Sequence, residues 1–312
     1  MPMMSSALQP KDFEENEAKG FFLSSQRVQL VDDMLRHRDR EFSNDSQQRS
    51  RKAVGRVLAG PHGVGKSAAL YLLVCAAFAR GWYVVYVPTC GGWVGSGAPQ
   101  LHFLEQMWLL NKDLLEEDAK GDSVDSQLMA SRLQRLRPYI ARKFQEGEFT
   151  PEEKEAALVE QRSFMQYFGK TTRRATLYAF DEHNELFREP NAPFRTNSYF
   201  KDYRHWTGLT NGALTYTVYV GSAQFELHLV SGAERLLDRV RPLEEGSEFN
   251  VLLEKIGESS GLAYAALTAD AKWKAIVRKQ LYLATGGVPR EMVSACKHLQ
   301  ELYTLSPASD VR

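Results

Sequence analysis

Residues 60 to 67 read Gly60-Pro61-His62-Gly63-Val64-Gly65-Lys66-Ser67, which is a complete G-x-x-x-x-G-K-S pattern. An apolar run at 54–59 precedes it and an Ala- and Leu-rich stretch follows it, so the pattern joins a predicted strand to a predicted helix. Glycines let the backbone point successive N–H groups at phosphate oxygens, and the lysine adds positive charge there. The alternative is a plain glycine turn between two core elements. We interpret the segment, with Ala68 after it, as a phosphate-binding loop.

A triphosphate site also needs groups that hold magnesium. The Ser67 hydroxyl is one candidate ligand, and the positive end of the helix that starts near Lys66 adds to the attraction for anions. Downstream, the apolar run 175–180 leads into Asp181 and Glu182. We expect Asp181 to order the metal and Glu182 to deprotonate the attacking water. The alternative is that these two acids only begin a turn or cap a helix.

The composition sets limits on the class of protein. The chain has 312 residues, a formal net charge of zero and 43% hydrophobic residues, so it is long enough for a large core. No apolar run reaches the roughly 18 residues of a membrane span, and the first ten residues lack the pattern of a secretory signal. Zero net charge argues against nonspecific coating of nucleic acid. We therefore expect a cytoplasmic or nuclear protein without a membrane contact, and reduced thiols at Cys75, Cys90 and Cys296.

The periodicity predicts three parts: an N-terminal helix with a polar connection, a phosphate-loop core, and a helical lid. Their expected ranges are 1–50, 51–245 and 246–312. Within them we predict strands at 83–87 and 214–220, a short amphipathic helix at 26–36, an exposed polar connection at 36–56, a loop at 88–93, and a helical insertion at about 98–168. In the tail we predict helices at 249–256, 264–267, 271–283 and 289–302.

Several further polar residues are candidates for reading the nucleotide. Ser222 follows the strand 214–220 and is our first choice as a sensor of the γ-phosphate, with Gln224 second and a helix cap as an equal alternative. Arg290 follows Pro289 in the first turn of a lid helix, from which it is expected to reach the triphosphate. Three other arginines are candidates for acting on a neighbouring subunit's nucleotide, although surface ion pairs are their commoner fate: Arg235, Arg239 and Arg241.

Two other features favour structural roles. The aromatic and basic stretch 194–206 has the residue types that stack bases, but we favour a helix that packs its aromatic face on the sheet. His183 and His205 lack zinc-ligand spacing, so polar or core roles are expected.

Taken together, the motifs resemble those of AAA+/STAND-type ATPases. The resemblance covers about residues 50–305 and is nearest to the P-loop domains of Crinkler and retrotransposon hot spot proteins. A more distant likeness is to the mitochondrial ribosomal death-associated protein. The segments that carry it are the loop 60–67, the strand and loop 83–93, the acids in 180–184, the turn 220–222, the step 241–243 and Thr285-Gly286-Gly287-Val288-Pro289-Arg290.

The resemblance implies a three-layer αβα P-loop NTPase with a parallel sheet, a helical insertion and a C-terminal helical lid. Its implied activity is Mg²⁺-dependent hydrolysis of ATP, with GTP as the alternative nucleotide, by a module that drives or regulates a protein partner or associates with itself. Relatives often carry Gln after the acid at the strand end, so Glu182 favours hydrolysis. We do not find near the N-terminus the leucine-rich host-entry header that many Crinklers carry. Delivery into a host cell is therefore implied by the resemblance alone. The alternatives are a nucleotide-locked scaffold and a nucleic-acid-dependent motor.

Overall fold

The computed structural model describes residues 22–43, 55–96, 98–144, 149–170, 174–187, 199–200, 215–221 and 237–305. The strands are β1 Gly55–Ala59, β2 Tyr83–Val87, β3 Thr176–Phe180, β4 Thr215–Val220 and β5 Leu237–Arg239. The helices are α1 Ser25–Ser43, α2 Lys66–Ala79, α3 Cys90–Gly95, α4 Pro99–Asp118, α5 Val124–Phe144, α6 Pro151–Lys170, α7 Ser247–Ser260, α8 Leu262–Leu267, α9 Ala271–Thr285 and α10 Pro289–Leu305, with a 3₁₀ turn at His183–Phe187.

The strands form one five-stranded sheet in the order β2-β3-β4-β1-β5. β1 pairs with β4, β4 with β3, and β3 with β2, and all three pairings are parallel. One row across the sheet joins Val57, Tyr219, Phe180 and Val87. The α/β fold with a parallel sheet and flanking helices is therefore confirmed.

Strands β2, β3 and β4 form where the sequence is a largely apolar run. β2, β3 and β4 are buried at every position, as parallel strands covered on both faces require. The β2 edge is closed by a side chain of the helical insertion: Asn111 on α4 accepts from the Val84 amide and donates to the Val84 carbonyl, both at 2.7 Å. The Asn111 side chain thus supplies hydrogen-bond partners for backbone groups that an edge strand otherwise leaves unpaired.

The sheet and the insertion share one apolar core. Trp93 is fully buried and stacks on Phe180 at a ring-centroid distance of 5.8 Å, while Phe200 meets it edge-on at 5.1 Å. Helices α4, α5 and α6 contribute Phe103, Leu133 and Phe164 to the same cluster. The predicted helical insertion is confirmed, and the Tyr199–Phe200 part of the aromatic stretch packs in this core. The other residues of 194–206 lie outside the described residues.

Two local predictions were wrong. The polar segment after residue 36 is helical as far as Ser43, because its charges find partners along α1, as Arg36 does with Asp32 one turn earlier. Arg38 also lies over the Trp82 ring, 4.7 Å from its centroid. The predicted loop after β2 is largely the short helix α3, which begins because the Thr89 hydroxyl accepts from the Gly92 amide.

Contacts divide the chain into two compact units. The first holds the sheet and the insertion, within residues 28–59 and 67–238. The second holds residues 20–27, 60–66 and 239–312. The predicted boundaries at residues 50 and 245 stay predictions.

The C-terminal unit has its own core, formed by α7, α9 and α10 around Phe249, Leu253 and Met292. Its predicted helices are confirmed: three of their eight ends agree, and the other five extend two to four residues further. α9 ends at Thr285 and is capped by Gly286 in a left-handed conformation, and α10 begins at Pro289.

Gly287 is the most constrained turn residue of the C-terminal unit. Its φ is +71°, and a Cβ there would lie 1.9 Å from the Leu243 carbonyl oxygen. The same two residues are also joined by a hydrogen bond, in which the Leu243 amide donates to the Gly287 carbonyl at 2.9 Å. We expect Gly287→Ala to cost about 2–5 kcal/mol, from left-handed strain and the lost buried hydrogen bond. Gly286→Ala is the matched control, because its φ is +57° and its Cβ would meet nothing within 4 Å. Hydrogen exchange of residues 240–305 measures both, and equal effects of the two variants would contradict the packing argument.

Candidate functional site

The loop 60–66 connects β1 to α2 and belongs to the C-terminal unit. Gly63 and Gly65 have φ values of +74° and +93°, which L side chains rarely adopt. Both glycines are also packed from outside the loop: a Cβ on Gly63 would lie 2.5 Å from the Arg290 Cβ, and one on Gly65 would lie 2.5 Å from Arg27 Nη2. The two glycines are thus required by backbone conformation and by close approach.

Lys66 turns its side chain back into the loop. Its ammonium donates to the carbonyls of Gly60 at 3.0 Å and Pro61 at 2.8 Å, and the residue is buried. Since Lys66 is also the first residue of α2, its charge adds to the positive end of that helix. The loop therefore combines backbone amides, a helix N-terminus and a fixed cation, which is the donor set that polyphosphates bind.

Arg27 supports the loop and was missed from the sequence. Its guanidinium donates to the Val64 carbonyl at 3.0 Å and to the Phe22 carbonyl at 3.1 Å, and only 4% of the residue is exposed. Burial lowers the pKa of this guanidinium, and Glu248 opposes that shift. Glu248 itself accepts from the Ser25 amide at 2.7 Å. The N-terminal segment, the loop and α7 are therefore joined through Arg27 and its neighbours.

Arg290 lies where the sequence predicted, in the first turn of α10, and it contacts the loop within the same unit. Its amide donates to the Gly63 carbonyl at 3.4 Å, and its Nη1 lies 2.8 Å from Nε2 and 3.0 Å from Nδ1 of His62. The Arg290 guanidinium is thus held against His62, on the exposed side of the loop.

The remaining candidate sensors and arginines are only partly described. Arg239 and Arg241 are exposed on either side of buried Val240, whose carbonyl oxygen would lie 2.3 Å from a Cβ on Gly60. These two arginines therefore flank the start of the loop, and β5, which contains Arg239, is a short strand that we did not predict. Three other candidates lie outside the described residues: Ser222, Gln224 and Arg235.

Asp181 and Glu182 lie in the sheet unit, directly after β3. Asp181 is 3% exposed; its amide donates to the Val87 carbonyl at 2.9 Å and its carbonyl accepts from the Cys90 amide at 3.0 Å. Its carboxylate accepts from the Glu182 amide at 2.8 Å. These contacts tie the carboxyl ends of β2 and β3 together and fix the direction of the two acids.

Glu182 has an unusual backbone. Its φ is +53°, and it is the one residue other than glycine with a positive φ in the part of the chain that the structure describes. Its carboxylate accepts a 2.5 Å hydrogen bond from the Thr89 hydroxyl. A left-handed glutamate costs about 1–2 kcal/mol, and such strain concentrates at functional sites. The polar contact across β2 and β3 offsets part of that cost.

The order of the sheet sets the spacing of these groups. β4 lies between β1 and β3, so the carboxyl ends of β1 and β3 are separated by two strand spacings, about 9–10 Å. Ser67, in the first turn of α2, and Asp181 belong to the same unit. A serine hydroxyl with a carboxylate is the kind of oxygen donor set that Mg²⁺ prefers. Ala68, which follows Ser67 in α2, is half-buried.

The nearby His and Cys side chains belong to the core. His183 is fully buried and stacks on Tyr219 at 3.9 Å, as its predicted core role requires. Cys90 is buried, and burial raises the pKa of its thiol well above the ordinary value, with Asp181 adding to the shift. All three cysteines are free thiols. Groups of three or more His, Cys, Asp or Glu side chains suited to a metal are absent from the described residues.

A family model matches part of the chain. The model of the mitochondrial ribosomal death-associated protein 3 family matches residues 40–114, about a quarter of the 312 residues. The matched range contains β1, the loop 60–66, α2, β2 and α3. Over this range the chain is similar to a family that has a P-loop NTPase-like fold.

None of the curated proteins compared with the chain matches it. In the described part of the chain, no helix is both long and apolar enough to cross a membrane. The name of the matched family places that family in the mitochondrial ribosome, whereas we expected a cytoplasmic or nuclear protein.

Loss of the Arg27 guanidinium is expected to loosen the loop 60–66. Replacing Arg27 with Gln removes the charge-assisted donor to the Val64 carbonyl, which is worth about 1.5–3 kcal/mol. We expect Arg27→Gln to speed hydrogen exchange of the loop amides at least about tenfold, because the loop opens more easily. Arg278→Gln is the matched control, because the Arg278 guanidinium pairs with Glu254 on α7. Similar exchange of the loop in both variants and the wild type would show that Arg27 does not position the loop.

Proposed function

We propose that the protein binds a nucleoside triphosphate with Mg²⁺ and hydrolyses it, with ATP as the main substrate and GTP as the alternative. The observation that carries the proposal is the loop 60–66, with two left-handed glycines and Lys66 folded against its carbonyls at the start of α2. The loop amides and Lys66 bind the β- and γ-phosphates under this proposal. The protein is then a nucleoside triphosphatase.

The proposal also assigns a magnesium ion and an activated water. Ser67 and Asp181 hold the metal, which when bound neutralises charge on the phosphates. Glu182 accepts the proton of the attacking water, and Thr89 orients its carboxylate through their hydrogen bond. Arg290 is held against the loop by Gly63 and His62, where its guanidinium senses the γ-phosphate. Ser222 is proposed as a second sensor on the basis of sequence alone.

The proposal also places the domain in a narrower group of P-loop proteins. We place the domain with AAA+/STAND-type modules, and within them near Crinkler and retrotransposon hot spot proteins, on the motifs in the sequence. Such a module couples nucleotide turnover to a protein partner or to self-association, and Arg239 or Arg241 is available for a neighbouring subunit because both are exposed. Nucleic acid is a further partner class, which a formal net charge of zero does not favour.

A second candidate function is a scaffold locked by its nucleotide. The matched family is named for a ribosomal protein, which favours a role in which bound nucleotide stabilises an interaction surface. The same match favours a mitochondrial compartment. Import of the full chain into isolated mitochondria tests the compartment, and exclusion from them would restore the cytoplasmic or nuclear expectation.

Single-turnover kinetics separates hydrolysis from the scaffold function. Purified protein is mixed with a substoichiometric amount of labelled ATP or GTP and Mg²⁺, with and without DNA, and product is followed over time. Hydrolysis of bound nucleotide within minutes supports the enzyme, and retention of intact triphosphate for hours supports the scaffold. Turnover that requires DNA or RNA would identify a nucleic-acid-dependent motor.

A further inference from the structure

Helix α9 carries apolar side chains on two of its faces. One face packs in the core of the C-terminal unit through Leu281, with Val277 and Tyr282 partly buried beside it. On another face, Trp273, Ile276 and Leu283 are 60%, 41% and 64% exposed. A helix that covers a core with one face ordinarily presents polar residues elsewhere. The second apolar face is therefore not covered by the core of this unit.

The exposed side chains are aligned. Trp273, Ile276 and Leu283 are spaced by three and seven residues, so they follow one line along the helix over about 15 Å. We call these three residues the α9 stripe. Single exposed apolar residues are ordinary on a protein surface, but an aligned tryptophan and two aliphatic side chains have the composition of an interface core.

The charged side chains within α9 have one sign, and the acid just before it, Asp270, caps the helix by accepting from the Lys272 and Trp273 amides. Residues 271–285 contain four cations and no acid. Lys274 and Arg278 pair with Glu254 on α7. Lys272 and Lys279 lie one turn before and one turn after Ile276, are exposed, and form no ion pair with any residue that the structure describes. The apolar line is thus bordered by two cations that a partner's carboxylates can pair with.

The apolar line and its two bordering lysines favour some kinds of partner for the α9 stripe over others. A second copy that docked through the same face would bring Lys272 and Lys279 against their own counterparts, which like-charge repulsion disfavours. Ile276 and Leu283 offer nothing to a nucleobase or a phosphate, and the stripe has one aromatic ring for stacking. Two cations and three apolar side chains are also a small anchor for a membrane surface.

We propose that the α9 stripe is a docking surface for an acidic amphipathic helix of a partner protein. Such a helix presents apolar residues at i, i+3, i+4 and i+7 and covers about three turns of α9. Trp273 is the anchor, since tryptophan is enriched among the residues that dominate binding. Glutamates or aspartates beside the partner's apolar line pair with Lys272 and Lys279. This proposal is independent of nucleotide hydrolysis.

The test uses two labelled synthetic peptides and the full chain. One peptide is a 21-residue helix former with Leu at the a and d heptad positions and Glu beside them, and the other carries Lys in place of each Glu. Fluorescence anisotropy is expected to show at least tenfold tighter binding of the acidic peptide. The double variant Trp273→Ala, Leu283→Ser is expected to lose at least tenfold of that affinity. Exchanging both lysines, Lys272→Glu with Lys279→Glu, is expected to reverse the preference between the peptides.

The control variant is Leu302→Ser, which changes another half-exposed leucine of the same unit, on α10, and should leave peptide binding unchanged. All of these variants change exposed positions, so circular dichroism should match that of the wild type, and nucleotide binding should also be unaltered. Equal affinity for both peptides, or full affinity in the stripe variant, would overturn the proposal. The proposal would also be overturned if the acidic peptide did not bind while the α9 stripe bound anionic vesicles, a single-stranded oligonucleotide or a second copy of the chain.

Discussion

The Lys66→Ala variant is expected to lose nucleotide binding. The Lys66 ammonium is buried against the Gly60 and Pro61 carbonyls, so its charge is already held inside the loop before any phosphate arrives. Two charge-assisted hydrogen bonds to phosphate oxygens are worth about 3 kcal/mol or more, which corresponds to at least about a hundredfold in affinity. Titration of a fluorescent ATP analogue in the presence of Mg²⁺ measures the loss.

The Lys112→Ala variant is the control, because it removes an exposed lysine from α4. We expect Lys112→Ala to bind the analogue as the wild type does, and both variants to retain the helical circular dichroism of the wild type. If folded Lys66→Ala bound the analogue within a few-fold of the wild type, the loop would not be a phosphate site.

The Glu182→Gln variant is expected to bind ATP normally and to turn it over slowly. The amide keeps the shape of the side chain, and its oxygen still accepts from the Thr89 hydroxyl, so the local fold is preserved. An amide cannot take a proton from water at neutral pH, and a positioned general base contributes about 10²–10⁴-fold to rate. We expect single-turnover hydrolysis to fall by at least about a hundredfold, while affinity changes less than about twofold.

Glu185→Gln makes the same chemical change three residues later, in the 3₁₀ turn after β3. Because Glu185 has no proposed part in the reaction, its variant should hydrolyse ATP at the wild-type rate. Equal rates for Glu182→Gln and the wild type would remove Glu182 as the base. Equal loss in the two glutamine variants would point to a general effect of charge at this edge.

The sheet could be predicted because its strands are short apolar runs bounded by polar or turn residues. Tyr83–Val87 was predicted residue for residue, and 175–180 and 214–220 differ from β3 and β4 by one residue at their starts. β5 was missed because three residues, two of them charged, give no apolar run. The helical continuation to Ser43 was missed because mixed charges in sequence resemble a solvated loop, whereas on α1 they have partners such as Asp32.

The candidate site was predictable only where local sequence carries its chemistry. The loop pattern identifies Lys66 and Ser67, and Pro289 identifies the start of the helix that holds Arg290. Arg27 had no such signal, because its role depends on a tertiary contact with the Val64 carbonyl. The bond between Thr89 and Glu182 was hidden for the same reason, since it joins the ends of two strands separated by the whole helical insertion. The left-handed backbone of Glu182 likewise follows from the fold around it.

We propose that the loop amides and Lys66 bind a polyphosphate while Ser67 and Asp181 hold its metal. A crystal structure of the protein grown with Mg²⁺ and a non-hydrolysable ATP analogue would show whether they do. We predict the β- and γ-phosphates hydrogen-bonded to the loop amides and to Lys66, with Mg²⁺ contacted by Ser67 and, directly or through water, by Asp181. An analogue bound elsewhere or not at all, or carboxylates of Asp181 and Glu182 turned away from the metal, would rule this arrangement out.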